Sequence, residues 1–150
     1  MLQVHKIELK PNRLQATYFV KASGVARFAY NWALAEWKRQ YEAGDKPTEV
    51  SLRRDLNKIK REAFPWMLAV TKVPPQQAIK NLGSAFQRFF KGQGKYPRFK
   101  KKGVRDSFRA DNGPVKTGVD AVIVQDKKIK PPRIGWIRLR ERLRLTGQIK

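Results

Sequence analysis

The chain has 150 residues, with 34 Lys and Arg against 12 Asp and Glu and a formal net charge of +22. Its apolar runs are a few residues long, against the ~20 that a membrane span needs, and no apolar core follows a basic start, so neither a span nor a secretory signal is expected. Cysteine is absent and His5 is the single histidine, which removes disulfides, thiolate metal sites, cysteine nucleophiles and any histidine-built metal centre within one chain.

Residues Leu2 to Lys10 alternate apolar and polar with one slip at His5–Lys6 and end at Pro11-Asn12, which predicts a strand. From Leu14 to Ala43, Phe19, Ala22, Ala26, Tyr30, Leu34, Trp37 and Tyr41 recur every three or four positions, the spacing of one helix face. Ser23-Gly24 can divide this stretch into two helices with Ser23 as the second N-cap, and Gly44-Asp45-Lys46-Pro47 stops it. A second helix fits Ser51 to Ala63, with Leu52, Leu56 and Ile59 on one side and Phe64-Pro65-Trp66 as an apolar plug. A third opens at Pro74-Pro75, which suit a first turn. It runs through Ala78, Ile79, Leu82, Phe86, Phe89 and Phe90 to a stop at Gly92-Gln93-Gly94. Beyond Lys95, Ser107 to Ala110, Ala121 to Gln125 and Trp136 to Leu139 read as short strands between turns at Asn112-Gly113-Pro114, Asp126-Lys127 and Pro131-Pro132.

The order strand, helices, strands predicts an α+β fold. In it a small β-barrel or sheet is interrupted by an inserted lobe of three to four helices: residues 1–12 as first strand, 13–94 as helical lobe, 95–150 as basic linker and remaining strands.

The positive charge is unevenly spread. Residues 1–75 hold 14 basic and 7 acidic side chains, residues 76–150 hold 20 and 5. Phe86 to Arg109 contains nine basic residues, one acid (Asp106) and six aromatics. Single-sign charge at this density repels itself, and a phosphate backbone relieves it while releasing counterions; a solvated face kept for solubility is the plainer alternative. Within this stretch, Lys95, Arg98, Lys100, Lys101, Lys102 and Arg105 are candidate phosphate contacts, arginine gripping with two donors and lysine as a mobile point charge. Tyr96 and Phe99 are candidates for stacking on unpaired bases, or else anchors tucked into the helical core. Pro97 stiffens the segment.

Arg133, Arg138, Arg140, Arg142 and Arg144 fall mostly on alternate positions among Ile137, Leu139, Leu143 and Leu145. On a strand that period turns apolar groups inward and guanidinium groups outward, so Arg138 and Arg140 are further candidates for tracking a sugar-phosphate backbone. The alternative is a half-buried edge strand whose charges guard against aggregation. Phe28, Tyr30, Trp37 and Tyr41 are expected in the core, Trp32, which lies off the main stripe, in the core or at an interface, and Asn31 is either a base-edge contact or a structural amide.

No catalytic constellation emerges. Glu36, Glu42, Asp45, Glu49, Asp55 and Glu62 decorate helices, Glu49 and Glu62 within reach of Arg53 and Lys58. Asp106, Asp111, Asp120 and Asp126 lie near turns. A two-metal nuclease needs carboxylates converging on ions ~4 Å apart, and no spacing here argues for that. Gly92-Gln93-Gly94 follows a helix, not a strand, and is no phosphate loop.

Four motifs resemble one family. Gly24-Val-Ala-Arg27-Phe-Ala-Tyr30-Asn31-Trp32-Ala33-Leu34 is similar to the "G-x-x-R-x-x-Y-N-x-x-L" helix of the TnpB (OrfB) proteins of bacterial insertion sequences. Pro65-Trp66, Val73-Pro-Pro-Gln-Gln-Ala78 and Leu82-Gly-Ser-Ala85-Phe86-Gln-Arg88-Phe89-Phe90 resemble its third helical stretch. Tyr96-Pro97-Arg98-Phe99-Lys100-Lys101-Lys102 resembles "Y-P-R-F-K-K", and Ile129 to Arg138 resembles "I-x-L-P-K-I-G-x-V-K". The motifs arrive in family order.

The resemblance implies an RNA-guided DNA endonuclease related to type V CRISPR effectors, long described as a transposase. Its N-terminal part is a wedge β-barrel interrupted by a helical recognition lobe that holds guide RNA and target DNA. The family's RuvC-like nuclease uses Mg and its zinc ribbon Zn, both in regions this chain does not match. The chain is thus expected to be the binding part, to carry no cofactor and not to cut as it stands, with DNA, guide RNA and the RuvC half as partners. No small-molecule substrate or membrane is implied, and a prokaryotic, nucleoid-associated cytoplasmic location is. From the residues alone, a stand-alone helix-turn-helix DNA-binding regulator and a ribosome-associated structural protein remain open.

Overall fold

The computed structural model describes residues 1–112, 122–147 and 149. In chain order it contains β1 (Leu9–Lys10), α1 (Arg13–Glu42), α2 (Glu49–Ala63), a 3₁₀ turn (Pro65–Ala69), α3 (Val73–Phe90), β2 (Ile123–Gln125), β3 (Lys128–Lys130) and β4 (Ile137–Leu139). Two compact units result: Met1–Phe19 with Ala110–Lys150, and Val20–Arg109.

The first unit is built on an antiparallel sheet of order β1-β4-β3-β2. The fold is α+β and the sheet is open, so of the two expected forms, barrel or sheet, the described residues show the sheet. β2 and β3 form a hairpin whose turn residue Asp126 has φ +52°, a left-handed conformation that Asp tolerates better than most residues. β3 was not expected; with three residues, one of them apolar, it carries too little alternation to register as a strand. β4 alternates as its sequence predicts. Ile137 and Leu139 are buried and Arg138 faces out. It lies between β1 and β3, so it is an interior strand and not an edge.

The N-terminal strand is shorter than the pattern of Leu2 to Lys10 suggests. Its ladder covers Leu9 and Lys10, after which the Glu8 carbonyl accepts from the Arg140 amide at 3.0 Å and the His5 ring Nδ1 accepts from the Arg144 amide at 3.3 Å. A side chain takes the place of a backbone partner where the alternation slips. Ser107 to Ala110 is not a strand. Three of its four residues are exposed and Phe108 alone is half-buried, so the segment has almost nothing to bury against a sheet. Ala121, Asp120 and Gly113-Pro114 lie outside the described residues.

Asn12 and Gln15 close the start of α1 reciprocally. The Gln15 amide donates to Asn12 Oδ1 and the Asn12 amide to Gln15 Oε1, both at 2.9 Å, a capping box with an amide pair. Gln15 is buried, and its Nε2 also donates to the carbonyls of Ile134 and Trp136. That ties the helix start to the segment entering β4.

In the second unit α1 is unbroken at Ser23-Gly24, contrary to the expected division. Ala22, Val25 and Ala26 on either side are buried, and burying that face outweighs the ~1 kcal/mol that a helical glycine costs. Thr48 caps α2, accepting from the Ser51 amide while the Ser51 hydroxyl accepts from the Thr48 amide. Gly44 (φ +87°) and Gly92 (φ +70°) end α1 and α3. In both, the residue after the glycine donates to the carbonyl five positions back, Asp45 to Gln40 and Gln93 to Arg88, the Schellman closure that favours glycine.

The core of this unit joins Ala29, Ala33, Leu34 and Trp37 of α1 with Leu52, Leu56, Ile79, Leu82 and Phe86. Trp37 stacks on Phe86 with ring centres 4.1 Å apart. Gly83 lets α3 approach α2 closely: a Cβ there would lie 2.8 Å from Glu49 Cβ. Of the aromatic set expected inside, Tyr30 and Trp37 are buried, while Tyr41 is exposed.

Candidate nucleic-acid interface

The basic segment after α3 is a loop without regular structure, so something other than a ladder must hold it. Four attachments do. Pro97 is buried. Tyr96 sets its ring edge-on against Phe86 and Phe89, at 5.4 and 5.1 Å between centres. Asn31 of α1 grips Lys100 twice, its Nδ2 donating to the Lys100 carbonyl at 2.9 Å and its Oδ1 accepting from the Lys100 amide at 2.7 Å. Arg27, one turn earlier on α1, donates to Asp106 Oδ1 at 2.7 Å, while Asp106 Oδ2 accepts from the Gly103 amide at 2.9 Å.

These contacts explain the one acid in a basic stretch. The Gly103 amide, and then the guanidinium of Arg27 and the charge of Lys102, hold the Asp106 carboxyl below the usual carboxylate range. Asp106 stays ionised and pins a tight turn with Gly103 at φ +78° and Arg105 at φ +52°.

Lys95, Arg98, Lys100, Lys101, Lys102 and Arg105 are all exposed. None forms an ion pair among the described residues. Lys100 Nζ lies 4.5 Å from the centre of the Tyr30 ring, a cation–π contact that leaves its charge in place. Lys38 reaches the same segment, 5.4 Å from the Tyr96 ring and 5.1 Å from Phe99. Tyr96 is thus partly an anchor, as one reading of the sequence held, yet both rings stay accessible, Tyr96 at 40% and Phe99 at 52%. Arg27 and Asn31 also border a cleft of about 580 Å³ with Phe28 and Trp66, where Phe28 packs edge-on against Trp66 and Phe64.

On the sheet unit the arginines divide. Arg140 pairs with Glu8 at 3.0 Å, Arg142 with Asp126 at 2.9 Å and Arg144 with Glu141 at 2.7 Å. Arg138 has no ion pair among the described residues and stands on the exposed face of β4. Of the two arginines singled out here by sequence, one is therefore matched by a carboxylate and one is not.

Sequence reasoning missed the latch. Asn31 and Asp106 were in view, but their partners lie 69 and 79 positions away; the signal available was one acid within a run of cations. It also left out Lys10, Lys128, Lys130 and Trp136 on the sheet.

The other acids are mostly spent on neighbours, such as Glu36 with Arg39 and Glu49 with Arg53; Glu62 forms no ion pair among the described residues. Nor do three or more His, Asp or Glu residues among the described residues converge as a metal site, and no helix there is long and apolar enough to cross a membrane.

Comparison with known proteins agrees with the motifs. Residues 1–46 match a helix-turn-helix domain of the OrfB/IS605 type; within them α1 is a single continuous helix, and the next helix begins at Glu49. Escherichia coli (strain K12) has a relative named putative RNA-guided DNA endonuclease InsQ. It is 32% identical over 151 aligned residues, 99% of this chain and 36% of the relative. A putative RNA-guided DNA endonuclease of Streptomyces pristinaespiralis is 32% identical over 99 residues, 65% of this chain and 25% of its own. The chain thus spans about a third or less of the length of these relatives.

Proposed function

We propose that the chain is the nucleic-acid-gripping region of a TnpB-like protein, because residues 1–46 match an OrfB-type helix-turn-helix domain and nearly the whole chain is similar to a protein named putative RNA-guided DNA endonuclease. In this reading it holds guide RNA and target DNA by their backbones and leaves sequence to base pairing. The observation that carries it is the latched loop. Six exposed cations that form no ion pair among the described residues, Lys95, Arg98, Lys100, Lys101, Lys102 and Arg105, are presented on a backbone fixed by Asn31, Arg27 and a buried proline. A fixed array loses less conformational entropy on docking than a free basic tail, and its cations release counterions from phosphate. Phe99 and the open side of Tyr96 add surfaces for stacking.

In this proposal the chain by itself binds and does not cut. Mg and Zn belong to the family's nuclease and zinc-ribbon regions, and a RuvC-like region is the partner that would complete the enzyme. The site of action is the bacterial nucleoid.

Sequencing the RNA that co-purifies with the chain from its native cell tests the RNA half of the reading. Enrichment of transposon-end transcripts is expected; ribosomal RNA alone would replace it with a ribosome-associated role. Tight sequence-selective binding to duplex DNA without RNA would favour a helix-turn-helix regulator. Cleavage of a guided target by the pure chain with Mg²⁺ would overturn the division between binding and cutting.

A further inference from the structure

The register of the sheet places like charges side by side. Lys10 of β1 pairs with Arg138 of β4, and Arg138 in turn with Lys128 of β3. Gln125 of β2 continues the row opposite Lys128. All four are exposed, and the three cations form no ion pair among the described residues. Like charges directly opposite one another destabilise a sheet, and the chain relieves that cost elsewhere: Arg140, Arg142 and Arg144 each have a carboxylate. No carboxylate among the described residues pairs with this row.

A second row lies beside it on the same face. Side chains two residues apart share a face, so Lys130 stands with Lys128 and Trp136 with Arg138. Lys130 Nζ is 5.9 Å from the Trp136 ring centre, and Trp136 is 40% exposed. Ile123, the ladder partner of Lys130, is also exposed. The face thus offers a flat indole beside a line of cations, with the rows about 7 Å apart at two strand residues.

We propose that this sheet face is a binding surface for unpaired nucleotides, with Trp136 stacking on a base and Lys10, Arg138 and Lys128 holding the adjoining phosphates. The proposal rests on the reading of the chain as a nucleic-acid binder and adds a site separate from the latched loop. An unpaired strand is the fitting partner because only unstacked bases expose a ring face to an indole. A duplex offers the row its phosphates but offers Trp136 nothing. Single-stranded RNA and single-stranded DNA share this chemistry.

The test uses the full chain with fluorescein-labelled 15-nucleotide RNA, the same sequence as single-stranded DNA, and its duplex, in anisotropy titrations at several salt concentrations. Trp136→Ala is expected to weaken single-strand binding roughly 5- to 150-fold, the range of one lost base stack, with duplex binding and the salt slope unchanged. Trp136→Phe keeps a stacking ring and is expected to restore most of the affinity, which separates lost stacking from lost folding. The triple variant Lys10→Gln/Lys128→Gln/Arg138→Gln is expected to shrink the single-strand salt slope by about 2, since each phosphate contact contributes ~0.7. The tighter of the RNA and DNA arms identifies the natural strand.

Single-strand affinity untouched by Trp136→Ala, or a fall shared equally with the duplex, overturns the proposal. A parallel Lys100→Ala/Lys101→Ala/Lys102→Ala variant separates the two readings. If it weakens binding while the sheet variants do not, the loop stands and the sheet site falls. If no variant and no strand shows salt-dependent binding, the nucleic-acid reading itself falls.

Discussion

Replacing Asn31 with alanine removes both hydrogen bonds that hold Lys100 to α1. The bonds measure 2.9 and 2.7 Å, good geometry for N–H···O contacts. At ~0.5–1.5 kcal/mol net for each, their loss favours the unlatched loop by about 1–3 kcal/mol, or roughly 5- to 150-fold in the open-to-closed ratio. Amide hydrogen exchange reads this directly, because the Lys100 N–H is itself one of the donors. Its protection is expected to fall by that factor in Asn31→Ala, while amides in the middle of α3 keep theirs. Affinity for nucleic acid should fall in the same direction with an unchanged salt slope, since every cation remains. An Asn31→Asp variant keeps the acceptor for the Lys100 amide but loses the donor to its carbonyl, and should lie between. If Lys100 exchanges at the same rate in Asn31→Ala as in the parent, the loop is held by its aromatics and proline alone and the latch argument fails.

Further expectations follow from the same contacts. The Asp106 carboxyl is held below its ordinary range by the Gly103 amide and by Arg27. Its contribution to the turn is therefore fully present above the unfolded pKa of ~3.9 and is lost as pH falls through the lower folded value. The Gly103 amide resonance should accordingly stay put at pH 5–7 and move only below about pH 4; movement near neutrality would refute the pairing. Phe86→Ala removes a fully buried ring and the stacking partner of Trp37, and urea melts should show a loss of ~3–5 kcal/mol. Two glycine-to-alanine changes should differ in sign. At Gly24 the nearest foreign atom to a new Cβ is Arg27 Nη2 at 3.8 Å, so helix propensity should stabilise by ~0.5–1 kcal/mol. At Gly83 the clash with Glu49 Cβ at 2.8 Å should outweigh that gain, overpacking costing ~1–3 kcal/mol; equal thermal shifts for the two would contradict the close helix approach.

How far the sequence alone carried this chain depends on the range of the forces involved. The stops at Gly44 and Gly92, the entry of α3 at Pro74-Pro75 and the alternation of Ile137, Arg138 and Leu139 were legible because each is decided within a few residues. Backbone conformations open to glycine, the fixed φ of proline and the period of a strand act locally. The capping pair Asn12 and Gln15 is equally local, but it went unread, because an amide pair is a less familiar form of the signal. The concentration of charge beyond residue 75, and with it the expectation of a polyanionic partner, came from composition.

What tertiary structure decided is everything that joins distant positions. Sequence offered Ser23-Gly24 as a break, and burial of its neighbours overrode it. It could not show that β3 completes the sheet, that the sheet stays open, or that Ser107 to Ala110 is not a strand. Most of all, it could show how many cations there are but not which have partners. Arg138 and Arg140 are two residues apart and chemically identical. Register sets one opposite Lys10 and Lys128 and brings the other to Glu8, and pairing across strands is a long-range fact that no local pattern contains.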